Sequence, residues 1–337
     1  MRTPLGLVRT VLLSIPLALG SLAQVGCTTN PATGARSFTL LSWDEERQIG
    51  AEAAPGMTDQ FGGEVNDATT EAYMDEVGHK LVAQIEEGVP QLEWEFTLLD
   101  SDVINAFALP GGKVFMSRGL AEVLTSEAEM AGVLGHEIGH VTARHGNQRI
   151  SAQMGMNIAL AAGAVAVGAA DEDSTLRKYG QVGVPALAIG GNLLLLKYGR
   201  KEELQADALG VRYMTRAMYD PKGQEMVMEA LQAASGGSSP PEWLSTHPAT
   251  ETRIQKIQQM LAGDYAYTQG NPEYKMYEER YRQRMLSPLS DLPPAKHTAR
   301  ALDAEDGSAS VLANSWLWCA HCRAEHLAAL GASRTSN

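Results

Sequence analysis

Residues Gly135–Gly146 read G-H-E-I-G-H-V-T-A-R-H-G, three histidines and a glutamate within a dozen positions. The lead-in Met130–Gly135, M-A-G-V-L-G, is apolar and small, so the stretch reads as a buried helix over 126–145. On a helix, residues four apart share a face, so His136 and His140 can offer two imidazoles to one ion while Glu137 projects beside it. Glu137 then sits where a metal-bound water would be. Two histidines and a carboxylate in an apolar helix are costly to bury unless something compensates them. The expectation is therefore one zinc ion per chain. Catalytic zinc usually takes three protein ligands, so the third must come from elsewhere.

Downstream, Arg200–Asp207 reads R-K-E-E-L-Q-A-D inside a predicted helix from Leu193 to about Met218. Glu203 and Asp207 share one face, one turn apart. Glu203 is the expected third ligand, with Glu202 as its rival. Asp207 is placed to accept a hydrogen bond from a liganding imidazole and so fix its tautomer. No histidine follows Gly146 at the spacing metzincins use, and no inverted motif is present.

Working outward, Tyr73, Val77, Leu81, Val82 and Ile85 recur at helical spacing over Thr69–Ile85. Leu92–Asp100, L-E-W-E-F-T-L-L-D, alternates like a strand, and two apolar runs flank Pro110-Gly111-Gly112 as in a hairpin. Either Val114–Ser117 or the strand before Pro110 can then offer an edge to an extended substrate. Further helices are expected at 221–234, 250–262 and 271–286. The Ala/Gly-rich run Met154–Ala170 is weakly hydrophobic, interrupted by Asn157, and reads as a core helix or a cover near the site rather than a membrane span. The fold class expected is α+β, mainly helical, with a small antiparallel sheet.

The first 26 residues carry Arg2 and Arg9 ahead of an apolar run, Val11–Ala23, too short to cross a bilayer comfortably. They read as a secretory signal peptide. The following A-Q-V-G-C resembles a bacterial lipobox, except for Gln24 where leucine is usual, and predicts lipidation of Cys27. Asp is absent at position 28, which under the usual bacterial sorting rule points to the outer membrane. Residues 27–66 are expected to be a tether and first helix, 67–286 a zinc metallopeptidase domain, and 287–337, rich in Pro, Ala, Ser and Asp, a disordered extension. The net charge is −13, and it becomes −15 without the two arginines of residues 1–26. Duplex nucleic acid, which needs a concentrated basic face, is not an expected partner.

H-E-I-G-H-V-T-A-R-H, then E-L-Q-A-D, then S-T-H-P-A-T-E-T-R, together resemble metallopeptidase family forty-eight, which includes CAAX prenyl endopeptidases and HtpX-like proteases. N-A-F-A-L-P-G-G-K-V-F-M-S-R-G-L resembles the segment before its zinc helix, and T-N-P-A-T-G after Cys27 resembles its bacterial lipoprotein branch. The resemblance covers about residues 27–265. It implies a gluzincin-type domain, zinc held by His136, His140 and Glu203, Glu137 as base, and substrate binding around Asn105, Pro110, Gly111 and Gly112. It also implies a periplasmic role against unfolded or misassembled envelope proteins, with a lipid anchor to the membrane. Gly199, where serine is usual, and the Gly-rich stretch 180–192 depart from the pattern and bear on the shape of the cleft.

Through this resemblance His247 joins the site, either as a donor to the developing oxyanion or as an occupant of the open coordination position. The second is preferred, because an unregulated broad-cleft protease would endanger its neighbours. His145 is expected to point away from the metal face and serve structure, His79 to be solvated, and Cys319 and Cys322 to form a local disulfide or an unstructured pair. Two other functions fit parts of the sequence. A lipid-anchored chaperone or adaptor for outer-membrane protein assembly would not need Glu137. An integral-membrane prenyl-protein peptidase would need several spans.

Overall fold

The computed structural model describes residues 27–166, 198–235, 241–248 and 251–296. Residues 1–26, expected to be a signal peptide, the stretch 180–192, Cys319 and Cys322 lie outside the described residues. A hairpin of β1 (Cys27–Thr29) and β2 (Arg36–Phe38) leads into α1 (Trp43–Gln60) and α2 (Ala68–Val82). Then come β3 (Glu95–Leu99), β4 (Ala106–Leu109), β5 (Lys113–Ser117) and a helical turn, α3 (Arg118–Ala121). α4 (Glu127–Thr142) and α5 (His145–Ala166) are followed by α6 (Arg200–Arg216), α7 (Lys222–Ala234), the short α8 (Trp243–Thr246) and α9 (Glu251–Ala262). The helix starts are local. Glu45 N donates to Ser42 Oγ while Ser42 N donates to Glu45 Oε2, a capping box for α1, and Asp67 and Ser126 cap α2 and α4.

The sheet has the order β3-β5-β4, with β4 antiparallel and β3 parallel to β5. The expectation of an antiparallel sheet thus holds for the hairpin, and the sheet as a whole is mixed. Alternation marks a strand but not its direction. Here β3 joins the far side of β5, so the hairpin's return strand runs parallel with it. β5 is central and wholly buried, so Val114–Ser117 is not an edge. β4 is.

The turn between β4 and β5 lies under α1. Gly111 (φ +87°) sits so close to it that an added Cβ would lie 2.5 Å from Arg47 Cα. On the helix side, an added Cβ at Gly50 would lie 2.0 Å from the Pro110 carbonyl oxygen. Both glycines permit this contact.

Three other expectations change. The helix over 126–145 breaks: α4 ends at Thr142, Arg144 is left-handed (φ 59°), and α5 begins at His145. The Arg144 guanidinium bonds Glu46 Oε1 at 2.7 Å and the Leu41 carbonyl at 2.5 Å, so α1 is fastened at this joint. Residues 29–42 are not a loose tether either. Asn30 Nδ2 donates to the Thr142 carbonyl at 2.9 Å, closing the end of α4, and Leu40 N donates to Ser151 Oγ at 2.7 Å. Finally, helix is absent at 271–277 and runs instead through Glu278–Tyr281, a π turn at Arg282–Leu286, and Ser287–Asp291. The domain continues past Ser287: Leu289 is fully buried, and Arg118 donates to the Leu289 and Pro293 carbonyls. Pro288 follows directly on the π turn, inside a continuous helical run, so its presence does not mark a linker. No helix among the described residues is long and apolar enough to cross a membrane.

Candidate metal centre and crevice

α4 and α6 carry the site, and small residues let them approach. An added Cβ on Gly139 would lie 3.0 Å from the Ala206 carbonyl oxygen, and one on Gly135 would lie 3.2 Å from Gly210 Cα. Because the axes are this close, Glu203 reaches the histidine pair. Its Oε1 lies 3.5 Å from His140 Nε2 and its Oε2 lies 3.6 Å from His136 Nε2. One ligand atom from each of His136, His140, Glu203 and His247 falls within 4.8 Å of every other, and all four residues are buried.

The hydrogen bonds around the cluster say what it is for. His136 Nδ1 lies 2.9 Å from Asp207 Oδ1. A carboxylate only accepts, so Nδ1 carries the proton and Nε2 presents a lone pair. His140 Nδ1 faces His145 Nδ1 at 2.9 Å, and His145 Nε2 meets the Gln205 amide oxygen at 3.2 Å. Burial holds the His145 pKa at about 4, so the ring is neutral with its proton toward Gln205. Its Nδ1 then accepts from His140, whose Nε2 is left as a second lone pair. The two Nε2 atoms lie 3.0 Å apart. Two lone pairs at that distance repel unless a cation sits between them, and the spacing is close to the ~3.3 Å edge of a tetrahedron of Zn–N bonds. Glu203 Oε2 is buried without a directed hydrogen bond. These residues fit zinc.

Around the cluster, Arg253 on α9 donates to both oxygens of Asp207, at 2.7 and 2.8 Å, and its Nη1 stands 2.6 Å from Glu203 Oε2. Burial works against the charge on Asp207, but this guanidinium keeps its carboxyl far below the usual carboxylate range. Gln224 Nε2 also reaches Asp207, at 3.3 Å. Glu137 Oε1 accepts from Trp243 Nε1 at 3.3 Å and lies 3.8 Å from His247 Nε2. His247 Nδ1 is 3.0 Å from Glu203 Oε1 and 3.3 Å from His136 Nε2, within the ligand set itself.

Glu202, the rival ligand, turns away and pairs with Arg149 at 2.8 Å. His145 is not among the clustered ligand atoms, but it contacts His140 and fixes its tautomer, a closer role than the expected one. Arg253, Gln224 and Tyr198, whose ring centroid lies 3.8 Å from that of His140, were not expected. Arg253 ends the S-T-H-P-A-T-E-T-R stretch, and that was the one available signal.

Beside the metal cluster, Asn105, Phe107, Ala108 and Leu109 form one wall of a crevice, with Tyr198, Thr246 and His247 opposite. A second hollow places Pro110 with His140, Arg144 and Tyr198. Gly111 and Gly112 line neither; they pack under α1 and against Trp94.

Residues 68–261 match the description Peptidase family M48. The chain is 30% identical over 234 residues to Mitochondrial metalloendopeptidase OMA1 of Schizosaccharomyces pombe, covering 68% of this chain and 65% of that protein. It is 30% identical over 233 residues to Beta-barrel assembly-enhancing protease of Escherichia coli K12, covering 67% of this chain and 46% of that one. With the bovine protein named Metalloendopeptidase OMA1, mitochondrial, identity is 26% over 242 residues, 69% and 45% of the two chains. This chain therefore spans less than two thirds of the length of each.

Proposed function

The chain belongs to peptidase family M48, and from that premise we propose that it is a zinc endopeptidase of the bacterial envelope, held at the outer membrane by a lipid on Cys27, that degrades unfolded or misassembled envelope proteins. One observation carries the reading: Glu137 stands outside the four-membered ligand set yet beside it, 3.8 Å from His247 Nε2 and held by Trp243 Nε1. A purely structural zinc site has no use for that carboxylate. The similarity to a protein named Beta-barrel assembly-enhancing protease supports the choice of substrate.

His136, His140 and Glu203 would hold the zinc, which when bound would supply an acidified water and polarise the scissile carbonyl. The chain's own residues do the rest. Glu137 takes the proton and passes it to the leaving amine. Asp207 and His145 hold the two imidazoles in the tautomers that direct Nε2 inward. Ser117 N donates to the Asn105 carbonyl, and Phe107 pairs with Phe115, so these residues turn their main-chain groups toward β5. Those of Ala108, half-buried on the crevice wall, turn outward, where an extended peptide can pair with them whatever its side chains. Broad substrate choice follows.

The purified chain should degrade casein, lose that activity to a chelator, and regain it on addition of zinc. Activity that survives complete removal of metal would contradict the proposal.

A further inference from the structure

β1 begins at Cys27 itself, so no linker separates the residue proposed to carry the lipid from the fold. Cys27 is the direct partner of Phe38 on β2. Paired residues of an antiparallel ladder have Cα atoms about 4.5–5.5 Å apart, so a lipid on Cys27 starts beside Phe38 whichever way it leaves. Phe38 is 47% exposed and belongs to neither apolar core cluster. A single exposed phenylalanine is ordinary on a protein surface. This one is set apart by its place opposite Cys27. Arg36 and Phe38 lie two apart on β2 and so project from one face, a cation beside an aromatic ring, both exposed.

The hairpin is fastened to the domain at its turn and where the chain leaves it. Asn30 N donates to the Ala35 carbonyl and Gly34 N to the Asn30 carbonyl, both at 2.8 Å, which closes the turn. The Asn30 side chain is bonded to Thr142 at the end of α4. Past β2, Leu40 N donates to Ser151 Oγ at 2.7 Å and Leu41 N to Asn147 Oδ1 at 3.4 Å, so this chain and α5 run in opposite directions. Stepping back from Leu40 to Phe38 therefore leads toward Met156 of α5, which is 53% exposed. From Met156 to Ala166 the helix carries no charged residue, so no charge in that stretch opposes contact with a bilayer.

We propose that the face carrying Arg36, Phe38 and Met156 rests on the membrane, with Phe38 inserted at the headgroup boundary and Arg36 against anionic phospholipid headgroups. The inference rests on the lipid on Cys27 proposed above. It adds a second, non-covalent contact that stops the domain turning about its anchor. Asn30 is bonded to Thr142, at the end of the helix that carries His136 and His140, so the same contact sets the orientation of the zinc helix to the bilayer.

The test uses the full mature chain, extracted from membranes and reconstituted in vesicles of phosphatidylethanolamine and phosphatidylglycerol. With Cys319 and Cys322 replaced by Ser and the Cys27 thiol taken by the lipid, a thiol-reactive fluorophore goes to Phe38→Cys alone. A lipid nitroxide near the headgroups should quench that label about two- to fivefold, as for a group ~5–10 Å into the interface, while aqueous iodide should hardly quench it. Arg36→Glu, or vesicles of phosphatidylcholine alone, should lower the nitroxide quenching about twofold. With the label moved to Met156→Cys and Phe38 intact, the nitroxide should again quench, and adding Phe38→Asp should hand the label to iodide. Iodide quenching without nitroxide quenching at both positions, on a chain whose mass shows the lipid and which still cleaves casein, would overturn the inference. So would nitroxide quenching that neither Arg36→Glu nor Phe38→Asp changes. A chain whose intact mass lacks the lipid, and which takes label at Cys27 as well, would instead overturn the attachment on which the face depends.

Discussion

His247 lies 3.0 Å from Glu203 Oε1, packed among three ligand residues rather than held back where an oxyanion would form. This geometry favours the residue as an occupant of the open coordination position. His247→Ala should then raise basal casein cleavage several-fold; a fall of 10- to 1,000-fold, the scale of a lost oxyanion donor, would assign it the other role. Part of the cluster was legible in the sequence because local spacing puts residues on one helix face: His136 with His140 on α4, and on α6 Glu203 one turn before Asp207, which bonds His136. What was not legible is what reaches the site across the chain. Arg253 neutralises two buried carboxylates from another helix, and a buried charge of this kind is stable only because it is paired on all sides. Tyr198 lies over His140 through a contact that no local spacing announces.

At the scale of elements, the distance between α4 and α6 is set by glycines. A Cβ on Gly139 would already meet the Ala206 carbonyl oxygen at 3.0 Å, and larger groups must push the helices apart. Gly139→Val should therefore cost about 1–3 kcal/mol of stability by overpacking. It should also weaken zinc retention, because Glu203 moves with α6. Thermal unfolding and metal content measured on the same samples check both; unchanged zinc content in a destabilised variant would separate helix spacing from the site. The same glycines were visible in the sequence without their meaning, since small residues on a helix do not name the helix they admit. The β4–β5 hairpin was legible from Pro110-Gly111-Gly112. The direction of β3 was not, nor was the break at Arg144, a left-handed position taken by a residue that gives no turn signal.

For the molecule as a whole, composition misled where a polar stretch is held down by side chains from elsewhere. Residues 29–42 look like a tether, yet Asn30, Leu40 and Leu41 are bonded to α4 and α5. Residues 287–296 look like a tail, yet Arg118 and the buried Leu289 secure them. The lipid on Cys27 is the membrane attachment we propose. Cys27→Ser should move the protein from the washed membrane fraction to the soluble periplasmic one, and continued partition with membranes after high salt would remove the lipid from the account. In the proposed function, this folded chain uses zinc and Glu137 to cut peptide bonds. Glu137→Gln preserves shape and leaves His136, His140 and Glu203 in place while removing the base, so casein cleavage and bound zinc measured together on that variant test the claim most directly. Zinc should stay at the wild-type level with cleavage nearly abolished; wild-type cleavage by the zinc-loaded variant would show that Glu137 is not the base.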